Sequence, residues 1–164
     1  MEERIILKRQ NYWINATDED AHGEYRSLEF HPNAIKALHD ALNINMMSQD
    51  GALSGVERSG QINDYHHVEI GGESIAIDWQ LANLIKKLND EGIETYGCDH
   101  GGVVPKGKHW EFDKSTYNGT DLVTTRVKLD PGDVKYGFIS FNMEHESLVI
   151  DLFRKGNLEV AAAK

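Results

Sequence analysis

The stretch Tyr65-His66-His67-Val68-Glu69-Ile70-Gly71-Gly72-Glu73-Ser74-Ile75-Ala76-Ile77-Asp78 decides the fold class. Two short β-prone runs flank a Gly-Gly pair and read as a hairpin, because glycine takes the positive φ that a two-residue turn demands. The period then changes. From Asp78 to Glu91, Leu81, Leu84, Ile85 and Leu88 recur at helical spacing. Asp78 stands where an N-cap carboxylate belongs, and Gly92 where a left-handed C′ residue ends a helix. Ile93 to Cys98 reads as the next strand.

Upstream, Arg4 to Lys8 and Tyr12 to Ile14 read as a strand and its continuation, and Asp18-Glu19-Asp20 as a solvated loop. Glu24 to Phe30 alternates Tyr25, Ser27 and Glu29 against Arg26, Leu28 and Phe30, which suits a strand with one buried face. His31-Pro32-Asn33 breaks it, and Ala34, Ile35, Leu38, Ala41 and Leu42 mark one face of a helix. Ser48 to Asn63, rich in Gly, Ser and Asp, reads as a long mobile loop.

Downstream, Asp99 to Gly102 is a turn and Val103 to Thr120 reads as mostly irregular. Asp121 to Leu129 is β-prone, Asp130-Pro131-Gly132-Asp133 is a turn, and Tyr136 to Phe141 is another strand. Asn142 caps a closing helix containing Leu148, Val149, Leu152 and Phe153, which Gly156 stops. Residues 1–156 are expected to form a single domain and residues 157–164 a frayed tail. The hairpins are too frequent for a doubly wound parallel sheet. The expected fold is α+β: a mostly antiparallel sheet with two to three helices packed on one face.

The 164 residues are enough to bury a core without staples. A domain of roughly 150 residues removes about 70% of its unfolded surface from water. The single cysteine, Cys98, rules out an intrachain disulfide. The N-terminus lacks the apolar region of a signal peptide, and no run approaches a membrane span. A host-cell cytoplasmic location without membrane contact is expected. The formal net charge of −10 argues against a grip on nucleic-acid backbone, which needs clustered Lys and Arg. It also leaves open an acidic surface that blocks a partner.

Three constellations could carry chemistry. Asp64 to Glu69 holds His66 and His67, whose side chains point to opposite faces of a strand, so at most one joins a site. The favoured reading of the pair is a polar outer face on the hairpin. Gly97-Cys98-Asp99-His100-Gly101-Gly102 puts a thiol, a carboxylate and an imidazole in a glycine-rich loop at a strand end. With His66 or His109, the residues Cys98, Asp99 and His100 would make a mixed site for a divalent metal. Cys98 as a buried apolar residue competes with that reading. Lys106-Gly107-Lys108-His109-Trp110 is a small basic island beside the glycine turn. Backbone N–H groups at Gly101 and Gly102, charge from Lys106, Lys108 or Arg126, and stacking on Trp110 would suit a phosphorylated, nucleotide-like ligand. Its competitor is a solvated loop with one packed Trp. There is no Walker loop, no Gly-x-Gly-x-x-Gly and no Gly-x-Ser-x-Gly elbow.

The segment Asp78 to Cys98, with Gly92-Ile93-Glu94-Thr95 inside it and Gly137-Phe138-Ile139-Ser140-Phe141 later, resembles a pattern in small uncharacterised phage and viral proteins. The helix-strand-Cys arrangement is also similar to that of the wybutosine-synthesising tRNA methyltransferases. Those carry Ser-Cys-Ser-Gly-Arg where this chain has Gly97-Cys98-Asp99-His100-Gly101. The resemblance implies a shared local fold and a phage or viral origin. The expectation is a non-enzymatic accessory protein, possible as a homo-oligomer, that sequesters a small phosphorylated ligand or a host protein to counter host defence. A metal-dependent hydrolase and an acidic protein-blocking inhibitor are the alternatives.

Overall fold

A computed structural model describes residues 4–9, 25–55, 57–58, 60–117, 122–156 and 158–162. It is an α+β fold with mostly antiparallel sheets. The central sheet has the order β13-β1-β2-β12-β7, with β1 Arg4–Arg9, β2 Tyr25–Phe30, β7 Thr95–Asp99, β12 Gly137–Asn142 and β13 Glu159–Ala162. Only the β1–β13 pair is parallel.

The alternation in Glu24 to Phe30 sets the inner face of this sheet. Leu28 lies opposite Ile139, Arg26 opposite Phe141, and Phe30 opposite Gly137. Gly137 must be glycine because any Cβ there would run into the Phe30 ring. Leu28, Phe30, Ile139 and Phe141 are buried in one core with residues of all three helices. The α1 helix, Ile35–Ala41, contributes Ile35 and Leu38. The α2 helix, Ala82–Asp90, contributes Ala82, Leu84, Ile85 and Leu88, and α3, Glu146–Lys155, contributes Val149 and Phe153. Each fully buried Leu or Phe contributes about 1.5–3 kcal/mol by leaving water. Arg26 sits on this same face, and its guanidinium is satisfied by Glu146 at 2.6 Å.

Four two-stranded units surround the sheet: β3 Glu57–Arg58 with β4 Gln61–Ile62, β5 Tyr65–Ile70 with β6 Glu73–Asp78, β8 Gly102–Val103 with β11 Val134–Lys135, and β9 Trp110–Tyr117 with β10 Leu122–Leu129. Gly71 and Gly72 both take positive φ, 60° and 83°, in the β5–β6 turn as a two-residue hairpin requires. Gly92, at φ 86°, closes α2, and the Ile93 N–H returns to Leu88 O at 2.9 Å.

Several expectations are corrected. Asp78 does not cap α2: it ends β6, its carbonyl accepts the Leu81 N–H, and the helix begins at Ala82 with no side-chain cap. Residues 48–63 are not a free loop. They carry β3 and β4, Leu53 bridges to Tyr65, and the Gly55 N–H donates to Asp64 Oδ1. The stretch expected to be irregular contains the eight-residue β9, whose charged and hydroxyl residues hide its β character. The tail expected to fray holds β13, with Leu158 in the core, because β1 offers it a parallel edge. Tyr12 to Ile14 and Asp18 to Asp20 lie outside the described residues.

Candidate functional site

The richest polar cluster forms where three small units meet the end of the central sheet. Gln61 comes from β4, Asn63 from the turn after it, Asp78 from the end of β6, Asp99 from the end of β7 and Lys135 from β11. His100 follows Asp99 directly. Its Nε2 lies 3.0 Å from Asn63 Oδ1, to which it donates, and 3.9 Å from Asp78 Oδ2. Asp78 Oδ2 also accepts from the His100 backbone N–H at 3.4 Å and from Asn63 Nδ2 at 3.5 Å. Lys135 Nζ reaches Asp99 Oδ2 and Gln61 Oε1, both at 3.2 Å, and lies 5.0 Å from the centre of the Phe112 ring. Gln61 Nε2 donates to Gly101 O at 2.7 Å, and the Gly101 N–H donates to Asp99 Oδ1 at 2.7 Å.

Burial pushes the Asp78 carboxyl above its usual range. The Asp99 charge adds to that rise, while His100 and Lys135 oppose it. Cys98, on β7, is packed against the core, and burial together with Asp78 and Asp99 raises its thiol to about 12. A thiol so far from ionising at neutral pH is no nucleophile. The members answer one another, and these contacts clamp β4, β6, β7 and β11 together.

Cys98, Asp99 and His100 do gather, with Asp99 held by Lys135 and His100 by Asn63. His66 is engaged elsewhere, with Nε2 2.7 Å from Ser48 O. Among the described residues, no group of three or more His, Cys, Asp or Glu side chains is arranged to hold a metal.

Of the residues expected to hold a phosphorylated ligand, Gly102 and Trp110 meet, but with the indole packed inward. Trp110 is only 5% exposed. A Cβ on Gly102 would stand 2.9 Å from its Cη2, and one on Gly60 would stand 2.7 Å from its Cδ1. These glycines make room for the indole rather than for a phosphate. The Gly101 N–H is taken by Asp99. Lys106 and Lys108 stay exposed on the turn before β9. Arg126, on β10, pairs with Glu111 and Asp113, each at 3.1 Å.

Sequence reading missed Gln61, Asn63, Asp78 and Lys135 as members of the cluster. No spacing signals them, because they come from three separate segments. It also missed the β9–β10 ribbon, which lines up Trp110↔Leu129 through Tyr117↔Leu122. Asp113 and Lys114 on β9, and Val123 to Arg126 on β10, are exposed in succession. Successive strand residues face opposite ways, so both faces of this stretch are solvated. No family model matches the chain, and neither does any curated protein or solved structure. Among the described residues, no helix is long and apolar enough to cross a membrane.

Proposed function

We propose that this chain is a small non-catalytic binding protein that recognises another protein through the β9–β10 ribbon. The observation that carries the reading is the run of exposed residues on both strands, which leaves both faces in water. A two-stranded ribbon is marginal alone and gains stability from added strands or a covering partner. Among the described residues neither outer edge pairs with a further strand, and such edges are templates for an extended segment. The occupant is therefore an extended stretch of a protein partner, held chiefly by main-chain hydrogen bonds.

The mutual pairing of Asp99 with Lys135 and of His100 with Asn63 supports a binding role over a catalytic one. The phosphorylated-ligand reading has less support, because the stacking ring is buried, the Gly101 N–H is occupied and Arg126 is neutralised. A divalent-metal hydrolase would need ligands that the His66, Cys98, Asp99 and His100 arrangement does not offer.

A photo-crosslinking residue at Thr125 on the ribbon, with one at Lys86 on α2 as the control, tests the reading. A discrete adduct to one foreign chain is expected from position 125 and not from 86. That chain, purified, should bind the intact protein and not a variant whose residues 111–128 are replaced by a short Gly-Ser turn. Equal adducts from both positions, or binding unaffected by removal of the ribbon, would overturn it.

A further inference from the structure

We infer that the outer edge of β6 is a self-pairing surface, taking β6 of a second copy of this chain in an antiparallel arrangement about a two-fold axis at Ile75.

The backbone sets the phase of this edge. The Trp79 N–H donates to Asp64 O at 3.0 Å, one step beyond the last β5–β6 pair, Tyr65 with Asp78. Hydrogen-bonded and non-hydrogen-bonded pairs alternate along an antiparallel ladder. Glu73, Ile75 and Ile77 therefore turn their N–H and C=O groups toward β5, and Ser74 and Ala76 turn theirs to the outer edge. Glu73, Ser74, Ile75 and Ala76 are exposed in succession. Among the described residues, no further strand pairs with this edge and no backbone group from outside the hairpin bonds to Ser74 or Ala76. The usual protection of an open edge is missing as well. Ser74-Ile75-Ala76-Ile77 holds no charge and no proline, and the β5–β6 ladder runs without a bulge.

The strand complements itself. A two-fold axis perpendicular to the sheet keeps each side chain on its own face, so even positions meet even ones and odd meet odd. Centring the axis on Ile75 sets Ile75 opposite Ile75, Ser74 opposite Ala76 and Glu73 opposite Ile77. Ser74 and Ala76, whose backbone groups point outward, become the hydrogen-bonded pairs. The two Ile75 side chains meet in the non-hydrogen-bonded pair, where Cα atoms approach to about 4.5 Å. No like charges lie opposite each other, since the acids of β6, Glu73 and Asp78, stand at its two ends. Val68 and Ile75 are cross-strand neighbours, yet Val68 is 4% exposed and Ile75 39%, because α2 packs chiefly over β5. A second Ile75 supplies the missing cover, giving the apolar row Val68-Ile75-Ile75-Val68 across four strands. The far edge of β5 is engaged at Tyr65, which exchanges backbone bonds with Leu53. Pairing through β6 thus closes at a dimer with the same patch on both copies.

Sedimentation velocity across a concentration series is the test. The intact chain should dimerise. Each copy carries a formal net charge of −10 and the paired edge is uncharged, so added salt should strengthen the dimer by screening the repulsion. Ile75→Lys sets Lys opposite Lys, and Ile75→Glu sets Glu opposite Glu. Each should weaken dimerisation by about tenfold or more. An equimolar mixture of the two should recover a dimer, because Lys then faces Glu, and that recovery separates lost complementarity from a misfolded hairpin. Ala76→Pro removes an outward N–H and no β5–β6 bond, and should leave the chain folded and monomeric. A monomeric intact chain at every concentration, a dimer that salt weakens, a dimer indifferent to these variants, or no recovery on mixing would overturn the inference. Crosslinking to a foreign chain at Thr125 depends on β10, so the two proposals fail separately.

Discussion

Single residues in the polar cluster behave differently although they look alike in sequence. Asp78 and Asp99 are both aspartates at strand ends, yet only Asp99 answers a cation directly, Lys135 at 3.2 Å. Asp99→Asn should leave a mostly buried ammonium short of its counter-charge and cost about 1–3 kcal/mol. Asp78→Asn keeps a hydrogen-bonding group and removes a charge that burial disfavours, so it should cost less than about 1 kcal/mol. Urea unfolding of both variants checks the order, and equal losses would contradict it. The loop motif around Cys98 was legible as polar and glycine-rich, but the reason for its glycines was not. Gly102 is small because the Trp110 ring lies against it, a contact between residues on different strands that no local pattern reports. For Cys98 itself, a thiol raised to about 12 predicts slow alkylation by iodoacetamide at neutral pH in the folded protein. Denaturant should bring the rate to that of a free thiol. Rapid labelling of the native chain would contradict the packing of Cys98 against the core.

Elements with strong periodicity were legible and those without it were not. The β5–β6 hairpin and the buried face of α2 follow from Gly71-Gly72 and from Leu84, Ile85 and Leu88. The start of α2 was displaced because Asp78 spends its carboxylate on His100 and Asn63 rather than on the helix. The β9 strand escaped notice because charges and hydroxyls occupy much of it, and the exposed Asp113 and Lys114 end the alternation that Trp110 begins. The β13 strand escaped for a different reason: its identity depends on β1, which lies at the other end of the chain. Truncation after Gly156 removes both the parallel β1–β13 pairing and the buried Leu158. It should cost about 2–5 kcal/mol, as losing a core leucine does. Thermal unfolding checks this, and an unchanged midpoint would show that β13 adds nothing to the sheet.

Across the whole molecule, one buried group ties stability to pH. His39 of α1 is 1% exposed, its Nδ1 lies 2.8 Å from Ile35 O, and its Nε2 has no partner among the described residues. Burial holds its pKa below 6.5, against smaller raising effects of Ile35 O and Asp40. The unfolded chain therefore takes up this proton first as pH falls. The contribution of His39 is complete above 6.5 and is lost progressively as pH drops toward the lowered folded-state value. Unfolding free energies between neutral and mildly acidic pH should show this slope, and His39→Leu should reduce it; an unchanged slope would remove His39 as the cause. By itself the sequence determined the α+β class, the hairpin, the helices and most of the core, because periodicity and turn chemistry are local. Only the tertiary structure decided that the glycine turn packs on Trp110, that Asp78 joins His100, and that β9 and β10 stand out as a ribbon. Each of these depends on which distant segments meet, and one chain read in order carries no signal of that.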